Sequence, residues 1–452
     1  MGKPLRGRVG RHANTGAQCQ NWVEDQQTVI ALLNLIPAAD GGAEASLAGR
    51  VVAGMSSDAL YKAILRFQMQ HFPAQQSGFV EPNSAVLVRM ETLALRPTAA
   101  PKAAGQWGEF KSGSVQKALY EALVDDHFLN QVKVVEILRA TLSNGTVTTS
   151  ELDDLEMVAE KSRTIAPRSK QMLELFVEEA RSKINAKGPY KLASSQHVDA
   201  CDPVCDFLKR TGHGQWPHLD RDEVGVGMLL RIAKPGLLQQ AGASLCGPAA
   251  FLFTMLQDRP GQYAQFAIDM YERGAAKMDN RSIEPSKSLQ HSVPSGGVAP
   301  IDWLTMAGLR DSDNWWFNYD TADRTFSGAT TQMEMAWWFT RAGYSDVTED
   351  ANFVRHQRDT DNMDEASRLV TAGYRVVLLI DEQMIETSTQ SQSGGISDRH
   401  WVVLRSTIDR SGGNVKMKIF TYGEGDYQVP KTGALPLDDF LMNYYGYVAA
   451  KP

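Results

Sequence analysis

The chain has 452 residues, of which 43% are hydrophobic and 22% are charged, a composition typical of a folded soluble protein and not of a disordered one. At roughly 150 residues per domain, this length predicts two to four domains. The formal net charge of -7 disfavours a nucleic-acid-binding protein, because such proteins usually present a basic face.

The sequence carries no obvious membrane or export segment. No run approaches the roughly 18 consecutive apolar residues that a membrane-spanning helix needs. Residues 1–20 are basic and glycine-rich, without the apolar stretch of a secretory signal, so we expect the protein not to leave by the general export route. Cys19, Cys201, Cys205 and Cys246 do not form the pattern of a disulfide framework, which favours synthesis in a reducing cytosol.

The N-terminal part predicts a small helical domain. Residues 1–20 have the composition of a disordered tail, and residues 21–96 of a compact three-helix domain. Apolar residues recur there at helical spacing in two stretches, and a third helix is expected to begin near Asn83. These residues are Val29, Leu32, Leu33 and Ile36 in the first helix and Leu60, Ile64 and Phe67 in the second. The Pro- and Ala-rich composition of residues 97–105 predicts a linker.

Residues 106–190 predict a second helical domain with long amphipathic stretches at 115–142 and 150–183. The segment between them, residues 143–152, has the outline of a calcium-binding loop that enters a helix. It lacks the early acidic ligands that such a loop needs. We therefore favour a helix-turn-helix connection in which Ser150 is the N-cap.

Residues 194–452 differ in sequence pattern from the preceding part of the chain, because strand-like runs follow the helices. The runs at 375–380, 400–406 and 415–422 predict strands, and the turn-rich residues 409–414 predict a hairpin between the last two. Helices followed by strands are typical of the α+β class. The expected architecture is a three-helix N-terminal domain, a helical middle region and a C-terminal domain in which a cysteine-bearing helix packs on an antiparallel sheet.

Cys246 is the candidate nucleophile. An apolar, helix-forming tract follows it, and Pro248 fits a helix only within the first turn, so the cysteine falls at a helix N-terminus. Free backbone N–H groups at that position favour a thiolate, and we expect a lowered thiol pKa. Gln240, six residues upstream, is the candidate second donor of an oxyanion hole. The structural alternative is a buried cysteine at a helix start.

His400 is the candidate general base. It begins an expected strand after the polar, glycine-rich residues 388–398, a position suited to proton transfer. If the hairpin closes near Gly412, His400 faces residues 423–425, and Glu424 is our choice for the group that orients the imidazole. Asp426 and Thr421 are the alternatives.

These motifs resemble the papain-like cysteine peptidase superfamily, nearest to its bacterial double-glycine-peptidase-like branch. The resemblance rests on Gln-x5-Cys-Gly-Pro-Ala-Ala at residues 240–250, His-Trp-Val-Val-Leu at 400–404 and an intervening segment at 328–344. It implies a papain-like fold for residues 194–452 and hydrolysis of a peptide or amide bond through an acyl-enzyme on Cys246. Two features depart from the family: residues 420–423 replace its usual Asn-Ser-Trp-Gly, and a tryptophan-rich segment spans 301–338.

Residues 21–96 resemble the peptidoglycan-binding three-helix domain. The matching pieces are residues 29–33, 78–82 and above all Ala-Ile-x-x-Phe-Gln within 63–68. Ile64 and Phe67 belong to a core, so only Gln68 and the loop residues are in a position to meet a glycan. A docking or delivery role is the alternative to carbohydrate binding.

We expect no metal and no cofactor. Cys201 and Cys205 form a Cys-x3-Cys pair that could join His213 or His218 in a half-site, but the spacing is poor for zinc and no second pair exists. Two ordinary cysteines that flank a turn are the favoured interpretation.

The combined resemblances imply a bacterial effector toxin with protease or amidase activity, made in the bacterial cytoplasm without a signal peptide and secreted into a target cell by a contact-dependent machine such as type VI secretion. Its partners would be a protein substrate, a cognate immunity protein and a component of the secretion machine, with no nucleic acid and no membrane span. One alternative is a peptidoglycan stem-peptide amidase or endopeptidase. The other is a catalytically inactive papain-like binding protein.

Overall fold

The computed structural model describes residues 5–36, 38–43, 47, 51–94, 107, 109–123, 128–162, 164–187, 190–192, 194–279, 281–312, 330–352, 355–357, 359–386, 399–421 and 423–452. The chain forms two compact units. The first comprises residues 1–190 with 205–212, and the second comprises 191–204 with 213–452.

The helices are α1 Val23–Leu35, α2 Asp58–His71, α3 Ala85–Ala94, α4 Gly113–Leu123, α5 Gln131–Ser143, α6 Thr149–Lys161, α7 Pro167–Lys187, α8 Ser195–Lys209, α9 Arg221–Ala233, α10 Cys246–Asp258, α11 Pro260–Arg273, α12 Lys287–Gln290, α13 Pro300–Asp302, α14 Gly308–Ser312, α15 Gln332–Arg341, α16 Asp361–Thr371, α17 Gln383–Glu386 and α18 Leu437–Met442. The strands are β1 Val9–Gly10, β2 Phe79–Val80, β3 Thr146–Val147, β4 Tyr190–Lys191, β5 Ala276–Met278, β6 Arg281–Ile283, β7 Ser345–Ala351, β8 Arg375–Asp381, β9 Arg399–Leu404, β10 Met417–Thr421, β11 Glu424–Val429 and β12 Tyr444–Lys451.

In the first unit, α1, α2 and α3 pack on one apolar core that includes Ile64, Phe67 and Met90. Phe128 and Ala166 belong to the same core. The three-helix region and the helical region that follows it therefore share buried surface within one compact unit, although the sequence predicts two domains there.

Residues 5–20 are ordered, whereas the sequence predicts a disordered tail for 1–20. Leu5 and Val9 are buried, and β1 pairs antiparallel with β2. The carboxylate of Asp25 accepts hydrogen bonds from the backbone N–H groups of Arg6 and Gly7 at 3.0 and 2.9 Å. Backbone pairing and two buried apolar side chains thus offset the conformational entropy that a glycine-rich tail loses on folding.

Gln68, the proposed glycan contact, is fully buried. Its amide nitrogen donates to the carbonyl of Phe79 at 2.8 Å, and its side-chain oxygen accepts from the N–H of Gly78 at 2.9 Å. Gln68 therefore holds the 78–79 turn in place, and it is not on the surface where a glycan could reach it.

The connection from α5 to α6 is a helix-turn-helix, but its N-cap is Thr148 and not Ser150. The Thr148 hydroxyl accepts from the N–H of Glu151 at 3.2 Å, and the Glu151 carboxylate accepts from the N–H of Thr148 at 2.8 Å. This reciprocal capping box fixes the start of α6. The described residues contain no group of three or more His, Cys, Asp or Glu side chains that could hold a metal ion.

In the second unit, β7–β12 form a six-stranded sheet in the order β11-β10-β9-β8-β12-β7, with every neighbouring pair antiparallel. The predicted strands and the hairpin that joins β9 to β10 are confirmed. One face of the sheet packs against α16 and α18 through a core that includes Val402 and Leu404. Helix α10 packs on β9 and β10, where Phe253 stacks on Phe420 with ring centroids 3.8 Å apart.

The protein therefore belongs to the α+β class that the sequence predicts. Within the described ranges, no helix is both long and apolar enough to cross a bilayer.

The capping box gives a direct stability test. Thr148→Ala removes the side-chain acceptor of the α6 N-terminus, so the free energy of unfolding should fall by about 1 kcal/mol. Ser150→Ala, two residues further on, should change it by less than about 0.5 kcal/mol. Urea unfolding of both variants checks this, and an equal loss in the two would contradict the assignment of Thr148.

Candidate active site

Cys246 is the first residue of α10, as the sequence predicts. Leu245 precedes it as the N-cap without a side-chain cap, and Pro248 lies in the first turn, where a missing N–H costs nothing. The side chain of Cys246 is a free thiol and is partly buried. The unpaired amides of a helix N-terminus are therefore adjacent to the sulfur.

Burial raises the pKa of the Cys246 thiol, and the nearby Glu382 carboxylate acts in the same direction. The backbone N–H groups of Trp401 and Gly247 interact favourably with the thiolate and lower the pKa, but their effect is smaller. The expected lowering of this pKa is therefore reversed, because desolvation of the charged form outweighs the helix N-terminus. The resting side chain is a neutral thiol at pH 7.

The first turn of α10 is fixed against β9 through Thr330. The backbone at Gly247 lies so close to Thr330 that a methyl group at position 247 would overlap its side chain. The carbonyl oxygen of Thr330 accepts a hydrogen bond from the indole N–H of Trp401 at 2.8 Å. These contacts explain how the backbone N–H of Trp401 comes to lie beside Cys246.

His400 lies on β9, and its side chain is only 5% exposed. Its Nε2 is 2.8 Å from the hydroxyl oxygen of Thr421 on β10. Burial lowers the pKa of His400 to about 4. The imidazole is therefore neutral at physiological pH.

Cys246 lies beside the backbone N–H of Trp401, the residue after His400, whereas the His400 ring contacts Thr421. Side chains alternate along a strand, so His400 shares a face with Val402 and Leu404, which pack towards α16 and α18. Trp401 faces the opposite side, towards Thr330 and α10. Because β8 and β10 flank β9 on both sides, a proton transfer between Cys246 and His400 requires the imidazole to leave Thr421 and pass the end of β9.

The imidazole contacts Thr421, one of the two alternatives to Glu424. Glu424 is the first residue of β11 and pairs with Thr421 at the end of the hairpin, so it lies one position from this contact. Its role as the orienting group stays a prediction. Asp426 is mostly exposed and lies 3.6 Å from the Nε of Arg405.

Gln240 lies in a segment that is held in place by a hydrogen bond to the buried residue Asp302. The N–H of the preceding residue, Gln239, donates to the carboxylate of Asp302 at 3.2 Å. Asp302 and Arg231 form a fully buried ion pair with two hydrogen bonds of 2.8 and 2.7 Å. Among the described residues, the buried side-chain oxygen of Gln240 has no hydrogen-bond partner.

The same segment meets the hairpin that carries Thr421. A methyl group at Gly236 would come within 3.1 Å of the N atom of Gly425, and one at Gly423 within 3.3 Å of Gln239. Residues 236–240 and the β10–β11 turn therefore pack closely. The fold thus brings residues 236–240 to the turn that follows Thr421, and the backbone of Trp401, the residue after His400, to Cys246.

The sequence also singled out a pair of cysteines and several tryptophans, and the structure places them as follows. Cys201 and Cys205 are buried free thiols on α8, where the sequence predicts a turn. Trp303 and Trp338 are core residues, whereas Trp337 is exposed. Trp315 and Trp316, together with the polar loop before His400, lie outside the described residues.

Sequence reasoning did not find Thr330, Asp302 or Arg231. Thr330 lies near the start of the intervening segment 328–344, and nothing in its local sequence marks it as a contact of Gly247. Arg231 and Asp302 are 71 positions apart, so only the fold reveals the pair.

Comparison of the chain with protein-family models, with curated proteins and with solved structures gives no match in any of the three.

The lowered His400 pKa predicts a loss of stability in acid. Between pH 6.5 and about 4, the unfolded chain binds a proton at His400 that the folded chain does not. The contribution of His400 to the free energy of unfolding is therefore complete above pH 6.5 and is lost as the pH falls towards 4. Full titration of this window costs about 3 kcal/mol at most.

Urea unfolding at pH 7 and pH 4.5 checks this prediction. His400→Gln should reduce the difference between the two pH values by about 2 kcal/mol. His213→Gln, at an exposed histidine, should leave the difference unchanged. The prediction fails if His400→Gln retains the full pH dependence of the wild type.

The buried ion pair predicts a second stability effect. Asp302→Asn removes the carboxylate charge that faces the buried Arg231 guanidinium, so the free energy of unfolding should fall by about 3 to 5 kcal/mol. The control is Asp269→Asn, which breaks a 3.6 Å pair with the exposed Arg273 and should cost less than about 1 kcal/mol. Denaturant unfolding followed by tryptophan fluorescence distinguishes the two, and similar losses would contradict this role of Asp302.

Proposed function

We propose that the protein is a cysteine-dependent hydrolase of peptide or amide bonds with Cys246 as nucleophile. The observation that carries the proposal is the position of the thiol at the start of α10, beside the backbone N–H groups of Gly247 and Trp401. Trp401 is the residue that follows His400 on β9. A thiol in such a position gains stabilisation of its anion without a metal ligand.

The proposed reaction begins when the His400 imidazole turns and takes the thiol proton on the nitrogen that Thr421 does not hold. The Cys246 sulfur then attacks the carbonyl carbon, and the N–H of Cys246 with the Gln240 amide stabilises the oxyanion. The tetrahedral intermediate collapses to a thioester as the imidazolium protonates the leaving amine. Water, deprotonated by the same imidazole, then hydrolyses the thioester and restores the thiol.

The biological setting belongs to this proposal. A hydrolase joined to a unit that resembles a peptidoglycan-binding domain suits an antibacterial effector toxin that is delivered by a contact-dependent secretion machine. Its substrate would be a target-cell protein or, as the alternative, the peptide stems of peptidoglycan. A cognate immunity protein would protect the producing cell.

A second candidate function is a catalytically inactive binding protein with a papain-like shape. Three observations favour it: the His400 ring contacts Thr421, burial raises the thiol pKa and burial lowers the imidazole pKa. Both groups are neutral at rest, which is the state expected if no proton is exchanged between them.

Alkylation kinetics separate the two candidates. If His400 is the base, iodoacetamide should modify Cys246 at pH 7 faster in the wild type than in His400→Gln, by a factor on the order of 100. Cys19, also a partly buried thiol, provides the internal reference in the same digest, read by mass spectrometry. Equal Cys246 rates in wild type and His400→Gln, no faster than that of Cys19, would support the inactive protein.

Toxicity tests the biological setting. Wild type and Cys246→Ala are expressed in the cytosol or periplasm of a bacterium, and growth is followed. We expect growth arrest only with the wild type. New protein N-termini would then indicate proteolysis, and muropeptides released from purified sacculi would indicate stem-peptide cleavage. Harmless wild-type expression in both compartments contradicts the toxin.

A further inference from the structure

The first unit contains a cavity of about 320 Å³ that lies apart from Cys246 and His400. It has room for on the order of ten water molecules, so it could hold a small organic molecule. Its apolar wall includes Leu87, Val88, Phe128 and Ala166.

Three helices begin at this cavity. Its lining includes Ala85 at the start of α3, Gln131 at the start of α5, and Pro167 at the start of α7. The first-turn amides of a helix have no intrahelical acceptor, and each N-terminus carries a partial positive charge of roughly half an elementary charge. Ser84 and Asn130 each cap one amide, at α3 and α5, and the remaining amides of the three ends favour a negatively charged occupant.

Ser169, in the first turn of α7, is a second and independent indication of a ligand. The residue lines the cavity and is 0% exposed, yet its hydroxyl has no hydrogen-bond partner among the residues that the structure describes. A buried hydroxyl without a partner costs free energy, so its presence at a cavity wall is explained if a ligand supplies the missing acceptor.

The charged side chains of the lining are Arg168, Lys209 and Glu91. Arg168 is held in place because its Nη1 donates to the side-chain oxygens of Asn83 and Gln131, both at 3.0 Å. Burial raises the pKa of Glu91 to about 7, and Arg168 acts against this shift. Near neutral pH, a large fraction of Glu91 is uncharged, and the lining then has a net positive charge.

We propose that this cavity binds a small organic carboxylate, with the carboxylate at the N-termini of α5 and α7 beside Arg168 and Ser169, and the apolar body against Leu87 and Phe128. The ligand is a monoanion, because Lys209 is already paired with the carboxylates of Glu136 and Asp206, which leaves the charge of Arg168 and the three helix ends for it. The apolar wall selects a molecule with a hydrocarbon part over a bare inorganic ion.

Calorimetric titration of the full-length protein with benzoate tests the proposal, with benzamide as the neutral isostere and inorganic phosphate as the bare anion. We expect saturable binding of benzoate and at least tenfold weaker binding of the other two. Absence of saturable benzoate binding, or equal binding of benzamide, overturns the proposal. Phosphate binding as tight as that of benzoate overturns the assignment of an organic ligand.

Variants locate the site. Arg168→Gln should weaken benzoate binding by at least tenfold and Ser169→Ala by several-fold, whereas Lys170→Gln, at the next position and outside the lining, should bind as the wild type does. Circular dichroism confirms folding. Unchanged affinity in both Arg168→Gln and Ser169→Ala contradicts the site.

Glu91→Gln is expected to increase the affinity for benzoate at pH 8, which a misfolded variant would not do. Benzoate remains ionised between pH 6 and pH 8, whereas Glu91 loses its proton in this range beside Arg168 of α7 and Lys209 of α8. Wild-type affinity should therefore fall several-fold from pH 6 to pH 8. Glu91→Gln should bind benzoate more tightly than the wild type at pH 8, with little pH dependence. An unchanged pH dependence in this variant overturns the placement of the carboxylate near Glu91.

Discussion

The contact between the first turn of α10 and Thr330 is the constraint on which the candidate active site depends. Only glycine fits at position 247, because the backbone there lies against the Thr330 side chain. The Thr330 carbonyl in turn holds the Trp401 indole, and this fixes the start of β9 beside Cys246. A shift of this contact would separate the thiol from the backbone N–H of Trp401, one of the groups that favour its anion.

The same close packing determines the electrostatics. A helix N-terminus favours a thiolate, but burial of Cys246 and His400 disfavours charge on both side chains, and burial is the larger effect. The resting arrangement is therefore a neutral thiol and a neutral imidazole held by Thr421. Catalysis by these residues would require a rearrangement, whereas an inactive protein would not, and this is the physical difference between the two candidate functions.

The two units use helix N-termini in different settings. In the second unit, one N-terminus meets a cysteine in a tightly packed environment. In the first, three N-termini meet at a cavity lined by Arg168 and Ser169. The effect of a helix end on a charged group therefore depends on the space and the polar partners around it, and not on the helix alone.

The sequence by itself determined the α+β class, the start of α10 at Cys246 and the strand that carries His400, since these follow from local periodicity and from where proline is tolerated in a helix. Only the tertiary structure decided which face of β9 His400 occupies, that Thr421 contacts it, and that residues 5–20 join the core. It also decided the direction of the thiol pKa shift. The reason is physical: periodicity is a local property of the chain, whereas burial and pairing depend on residues that are distant in sequence.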